Sequence, residues 1–172
     1  MAAKAPFVIR GKVEHGTAAG FVEDTLDLGA FVDALGKSVL RIHSIQVAHQ
    51  QDGNPEKGPI ASAAGVTLNL GYQLTTQSQT DMIQTSDKSV IASGNTVTPK
   101  VSTQAIMYGV FETNNINPTM WSQGYLIATE TLYLSTTTDN TVSAAFTTNV
   151  ILECTIEKLD ERSAMSLALS QS

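Results

Sequence analysis

The segment GVTLNLGYQLTT (65–76) places Val66, Leu68, Leu70, Tyr72 and Leu74 on one face of an extended chain. Thr67, Asn69, Gly71 and Gln73 fall on the other. Period-two alternation of this kind marks a strand with one packed and one wet face. It recurs in FVIRGKVE (7–14), GFVEDTLDL (20–28), KSVLRIHSIQVAHQ (37–50) and VSTQAIMYGVFE (101–112), and again over 125–135 and 142–159. DMIQ and SVIA read as short strands, and SGNTVTPK as a loop. SAMSLAL (163–169) alternates through Met165, Leu167 and Leu169, the pattern of a final edge strand or an apolar tail. GAFVDALG (29–36) is too short for a stable free helix and reads as one turn or a loop. Nowhere does a helical period persist for four turns.

Eight to ten strands separated by Gly- and Asn-rich turns predict an all-β fold, an antiparallel two-sheet β-sandwich. The segments 50–64 and 113–124 are long for hairpins and suit crossings between sheets, so a jelly roll is the expected topology. An immunoglobulin-like sandwich would carry Cys…Trp…Cys, which is absent. Residues 1–172 are expected to form one β-sandwich domain, with an N-terminal arm (1–6) and a C-terminal strand or tail (163–172).

Composition narrows the function. Charged residues make up 15% of the chain against 42% hydrophobic, so disorder is disfavoured. Polarity comes instead from 21 threonines, 15 serines, 10 glutamines and 8 asparagines. Net charge is −6, and only Lys88 and Lys100 lie between 58 and 157, too few for a phosphate-neutralising patch. Sequence-specific nucleic-acid binding is therefore not expected. MAAKAPFVIRGK lacks the apolar run of a secretory signal, and no stretch is long enough for a transmembrane segment. Asn117-Pro-Thr119 has proline in the position that disqualifies a glycosylation acceptor. The single Cys154 shares its strand face with Val150, Leu152 and Ile156, which predicts a buried, inert thiol.

The stretch SVLRIHSIQVAHQQDGNPEKG (38–58) holds the densest chemistry. Its inward face is Leu40 and Ile42 at first and Ile45 and Val47 afterwards, so the phase breaks near His43–Ser44, as at a β-bulge. Arg41 and His43 project together before that break, as an anion site or, more commonly, as a solvated or interface surface. His43 and His49 would lie about 20 Å apart on an uninterrupted strand, too far to share a metal. His15 sits in a glycine-flanked turn, and no His-x-His spacing occurs, so no metal and no cofactor is expected. Glu130 has Leu126, Ala128, Leu132 and Leu134 as face neighbours. It is either a buried acid with a raised pKa or, by the simpler reading, an outward group opposite inward Tyr125, Ile127 and Tyr133. Gly-x-Ser-x-Gly, the phosphate loop and His-Glu-x-x-His are absent, and no catalytic residue is assigned.

The short neutral arm, the Thr/Ser/Asn-rich strands, VLRIHSIQVAHQ with its Gly/Pro loop, and the run YLIATETLYLSTTTDNT…NVILECTIEKLDE resemble single jelly-roll coat proteins of tailless or archaeal-type viruses. The resemblance implies a self-assembling tile with no enzymatic role. Its partners would be further copies of itself in a large assembly, with minor capsid proteins, and its location the virion. The arm carries no arginine cluster, which implies an internal membrane or separate packaging proteins rather than genome condensation. On this reading Trp121, Met120, Arg41, His43, Met165, Leu167 and Leu169 are interface candidates. The alternative is a glycan-binding or adhesion module, in which Trp121 acts with Asn114, Asn115 and Asn117. A jelly-roll metal-dependent enzyme is the third option.

Overall fold

The computed structural model describes residues 5–33, 38–100 and 111–171, with residues 111–115 described through their backbone. Among the described residues nine strands run in the order β1 (Phe7–His15), β2 (Gly20–Asp27), β3 (Ser38–Gln51), β4 (Thr67–Thr75) and β5 (Val90–Pro99). They continue through β6 (Phe111–Ile116), β7 (Tyr125–Ile127), β8 (Thr131–Thr138) and β9 (Phe146–Lys158), and helix α1 (Glu161–Gln171) closes the order. One sheet is ordered β1-β9-β3-β7, the other β2-β8-β4-β5-β6, and all pairings are antiparallel. Between the described strands the chain changes sheet at six of eight connections, staying in one sheet only from β4 through β6. Eight of the strands follow jelly-roll order, and β6 extends one edge of the second sheet. The expected sandwich and its jelly-roll topology are both present.

Alternation decides what is buried. Along β9, Phe146, Thr148, Val150, Leu152 and Cys154 are buried, while the residues between them keep solvent contact. Leu40, Ile42, Leu74, Leu132 and Leu152 are fully buried between the sheets, each contributing about 1.5–3 kcal/mol. A second apolar cluster forms around Leu68, Leu70, Val142 and Phe146. The layers press closely at Gly11, where a Cβ would meet Leu26 Cδ1 at 2.9 Å.

Five segments depart from the sequence expectation, one of them 113–116, read as the start of a loop but found in strand β6. The stretch 163–169 is helical, neither strand nor extended tail, because its capping outweighs its alternation. Asp160 accepts from the Ser163 N–H (3.0 Å) and hydroxyl (2.7 Å), bonds that hold its carboxyl below the ordinary carboxylate range. Ala164, Leu167, Ala168 and Gln171 then form a helical stripe against the sandwich, packing with Val39 and Ala128. The expected strand 125–135 breaks at residues 128–130, where the chain leaves one sheet for the other. There the Leu28 N–H donates to the Glu130 carbonyl at 2.7 Å.

SGNTVTP is strand rather than loop. Gly94 and Asn95 pair with Tyr72 and Gly71 in the middle of a sheet, where ladder hydrogen bonds override turn propensity. DMIQ lies in a loop that arches over the outer face of β4. That face is therefore wet only in its first half. Of the strand expected over 101–112, residues 101–110 lie outside the described residues, as do residues 1–4 of the arm.

Candidate functional site

The bulge on β3 organises the most elaborate surface of the molecule. Pairing with β9 steps from Ile42–Cys154 to Ser44–Glu153, which leaves His43 as the extra residue. The phase break expected at His43–Ser44 is there, and it turns His43 and His49 to opposite sides. His43 faces outward, its Nε2 2.9 Å from Thr155 Oγ1. His49 faces inward, with Nδ1 2.9 Å from Thr148 Oγ1 and its ring 6.0 Å from that of Tyr72. Burial pushes the His49 imidazole down to about 4. His15 is buried elsewhere, its nitrogens 2.8 and 3.0 Å from the Gly16 and Gly20 carbonyls, its ring stacked on Phe146. The three histidines do not converge. Among the described residues, no three histidine, cysteine, aspartate or glutamate side chains gather to hold a metal ion.

Arg41 is committed to structure. Its Nε and Nη2 donate to the Glu157 carboxylate at 2.5 and 2.9 Å, and Nη1 donates to the Gln123 carbonyl. The fork welds β3, β9 and the turn before β7, so it is not an open anion site. Cys154 is buried in the core, and burial raises its thiol to about 12, far from the thiolate a nucleophile needs. Glu130 is exposed, but not because Tyr133 packs inward. The break at 128–130 resets the phase, so Ile127 is buried in β7 while Leu132 and Leu134, not Tyr133, are buried in β8.

Beside the Arg41 fork, Pro118–Met120 forms one 3₁₀ turn. Asn117 caps it, accepting from the Thr119 N–H and hydroxyl, and donates Nδ2 to the Ile45 carbonyl at 3.1 Å. Met120 (57% exposed) and Trp121 (41%) stand outside, and the Trp121 ring lies 5.8 Å from Tyr125. Tyr125, Leu126 and Leu167 then line a groove of about 640 Å³ together with Arg41 and Lys88. On α1, Met165 (47%) and Leu169 (68%) are exposed.

Of the interface candidates, Arg41, Met120, Trp121 and Leu167 thus lie around the β7 edge, with His43 at the bulge itself. Of the glycan candidates, Asn117 serves as a buried cap. Asn114 belongs to β6 opposite Gly94, and Asn115 is in the same strand, at the edge of the other sheet.

Sequence reasoning missed the residue that fastens this surface. Gln171 is buried, and its side-chain amide stands where another strand would pair with β7. It donates to the Leu126 carbonyl (2.7 Å) and accepts from the Ala128 N–H (2.9 Å). Its own carbonyl accepts from Thr76 Oγ1 at 2.8 Å. One residue thereby covers a strand edge and ties α1 to both sheets. Only the helical spacing from Ala164 hints at it. Gln171→Ala is expected to cost about 2 kcal/mol by orphaning two backbone groups. Hydrogen exchange should show Ala128 losing protection while the β9 amides keep theirs.

Among the described residues, no helix is long and apolar enough to cross a membrane. No family model and no curated protein matches the chain. Among solved structures, a chain of Desmodium yellow mottle tymovirus aligns at 9% identity with a TM-score of 0.28, covering 93% of this chain and 94% of that one. A chain of turnip yellow mosaic virus aligns at 15% identity with a TM-score of 0.27, covering 91% and 98%. The jelly-roll assignment rests on the strand order.

Proposed function

We propose that the protein is a structural subunit that self-assembles through its β7 edge, most simply as the coat subunit of a virus particle. The observation that carries this reading is the exposed apolar set at that edge. Met120, Trp121 and the groove of Tyr125, Leu126 and Leu167 lie together, with Met165 and Leu169 exposed on the adjoining helix. Apolar side chains of this size concentrated at one edge are the anchors of a protein interface. The surrounding threonines, serines and glutamines allow wide contact without stranding many ions. Further copies of this chain are the partners, joined by minor capsid proteins, and the virion is the place. The sparse lysines and arginines supply no genome-condensing surface.

Trp121→Ala and Met165→Ser test the surface separately. Each should raise the concentration needed for assembly roughly tenfold or more. Met165→Ser, on an exposed helical position, should leave the unfolding midpoint of the dissociated chain unchanged. Assembly at unchanged concentrations in both variants would place the contacts elsewhere.

A further inference from the structure

The three histidines differ in what faces their ring nitrogens. His43 Nε2 and His49 Nδ1 each face a threonine hydroxyl, which can donate or accept, so a neutral ring satisfies either contact. His15 faces two carbonyl oxygens, that of Gly16 at 2.8 Å from Nδ1 and that of Gly20 at 3.0 Å from Nε2. A carbonyl only accepts. A neutral imidazole carries one N–H, so in either tautomer one ring lone pair would point at an oxygen lone pair. His15 is 3% exposed, which leaves no water to relieve that clash. Only the doubly protonated ring donates to both oxygens.

The surroundings suit such a cation. The His15 ring lies over Phe146 with centroids 4.8 Å apart and planes inclined by 18°, the face-on approach by which an aromatic ring attracts positive charge. Gly20 has φ +138, a conformation that L side chains rarely adopt. Its carbonyl also accepts from Thr137 Oγ1 at 3.1 Å, so that oxygen is held from two sides.

Charges on the surrounding elements are engaged elsewhere. On β1, Lys12 and Glu14 pair with each other. On β2, Glu23 accepts from Ser78 and Gln79, and Asp24 from the Thr25 N–H. Asp52, beside the start of β9, accepts from Thr147 Oγ1, and Asp139, just after β8, from the Asn69 N–H. Among the described residues none of these bonds the His15 imidazole, so the ring answers to its own proton.

We infer that His15 is a proton-dependent clamp on the turn over residues 16–19, closed while both ring nitrogens carry protons and releasing one carbonyl when a proton leaves. The turn carries the chain from β1 in one sheet to β2 in the other. Its Thr17 carbonyl accepts from the Val142 N–H at 3.0 Å, and Val142 packs with Leu68, Leu70 and Phe146. Opening the clamp therefore loosens this end of the sandwich. The clamp is complete in acid and weakens as pH rises, the opposite sense to His49, and it does not depend on assembly.

Nitrogen-15 NMR of the imidazoles tests this on the full chain, in solution for free subunits or with magic-angle spinning for particles. Spectra at about pH 5.5 and about pH 8.5 bracket the ordinary range of a histidine. At the lower pH both nitrogens of His15 should carry slowly exchanging protons, while His49, lowered to about 4, keeps one and serves as the internal reference. At the higher pH His15 should show a single N–H. Between the two, protection of the Val142 amide, corrected for intrinsic exchange, should fall roughly fivefold or more. His15→Phe keeps a ring against Phe146 but holds neither carbonyl, so its Val142 protection should be low and equal at both values. The nitrogen spectrum of the parent decides the matter even where that variant fails to fold. Three results overturn the inference: a single N–H on His15 at the lower pH, two at both, or Val142 protection unchanged as the proton leaves.

Discussion

Replacing Gly124 with alanine is expected to destabilise the protein by about 3 kcal/mol or more. Gly124 has φ +64, and a Cβ there would lie 2.2 Å from the Ile42 carbonyl oxygen. That oxygen belongs to backbone at the β3 bulge, so no side-chain rotation relieves the overlap. Gly53→Ala is the matched control. Its φ of +76 carries the same left-handed penalty of about 1–2 kcal/mol, but nothing lies within 4 Å of the new methyl. For a chain of this length each kcal/mol lowers the midpoint by about 2–4 °C, so the two variants should separate clearly in a thermal scan. Gly124→Ala should also disturb assembly, because the turn it distorts carries Trp121 and the carbonyl that receives Arg41. Equal losses in the two glycine variants would mean that the turn yields freely and that the bulge does not fix the β7 edge.

Acid should weaken the protein through His49, by as much as roughly 3 kcal/mol. Burial holds its folded value near 4, against 6.5 for a free imidazole. The unfolded chain therefore takes up the proton first as pH falls. This contribution to stability is intact above pH 6.5, lost progressively between 6.5 and about 4, and constant below. Asp139 acts in a lower window. Burial pushes its carboxyl up, but hydrogen bonds from Asn69 and Asn140 outweigh that and hold it below 3.8, so its stabilisation fades only under that pH. Denaturant titrations of the parent and His49→Gln from pH 7.5 to 4 isolate the histidine. The glutamine variant should show the smaller loss. Parallel profiles would assign the acid sensitivity to other groups.

The two sheets were legible because alternation alone separates inside from outside. Leu40, Ile42, Ile45 and Val47 even disclosed the bulge, since a single extra residue shifts the phase of everything after it. Helix α1 was misread because Met165, Leu167 and Leu169 alternate by accident. The pattern that mattered was the Asp160–Ser163 cap with Ala164, Leu167, Ala168 and Gln171 behind it, in which small and polar residues are the buried ones. Gly94 and Asn95 looked like a turn because a sheet interior supplies from neighbouring strands what local sequence does not. The β7–β8 junction was hidden for a related reason. Apolar residues continue across it, half serving β7 under α1 and half serving β8 in the core. The Gln171 clasp depends on which strands lie side by side, and no local pattern encodes that order.

The central claim is assembly, and the mass of the purified protein tests it most directly, by light scattering with negative-stain images of the same fraction. The expected result is closed shells, tubes or large regular rings, with a mass many times that of the 18.3 kDa chain. A clean 18.3 kDa monomer at every concentration would contradict a self-sufficient tile.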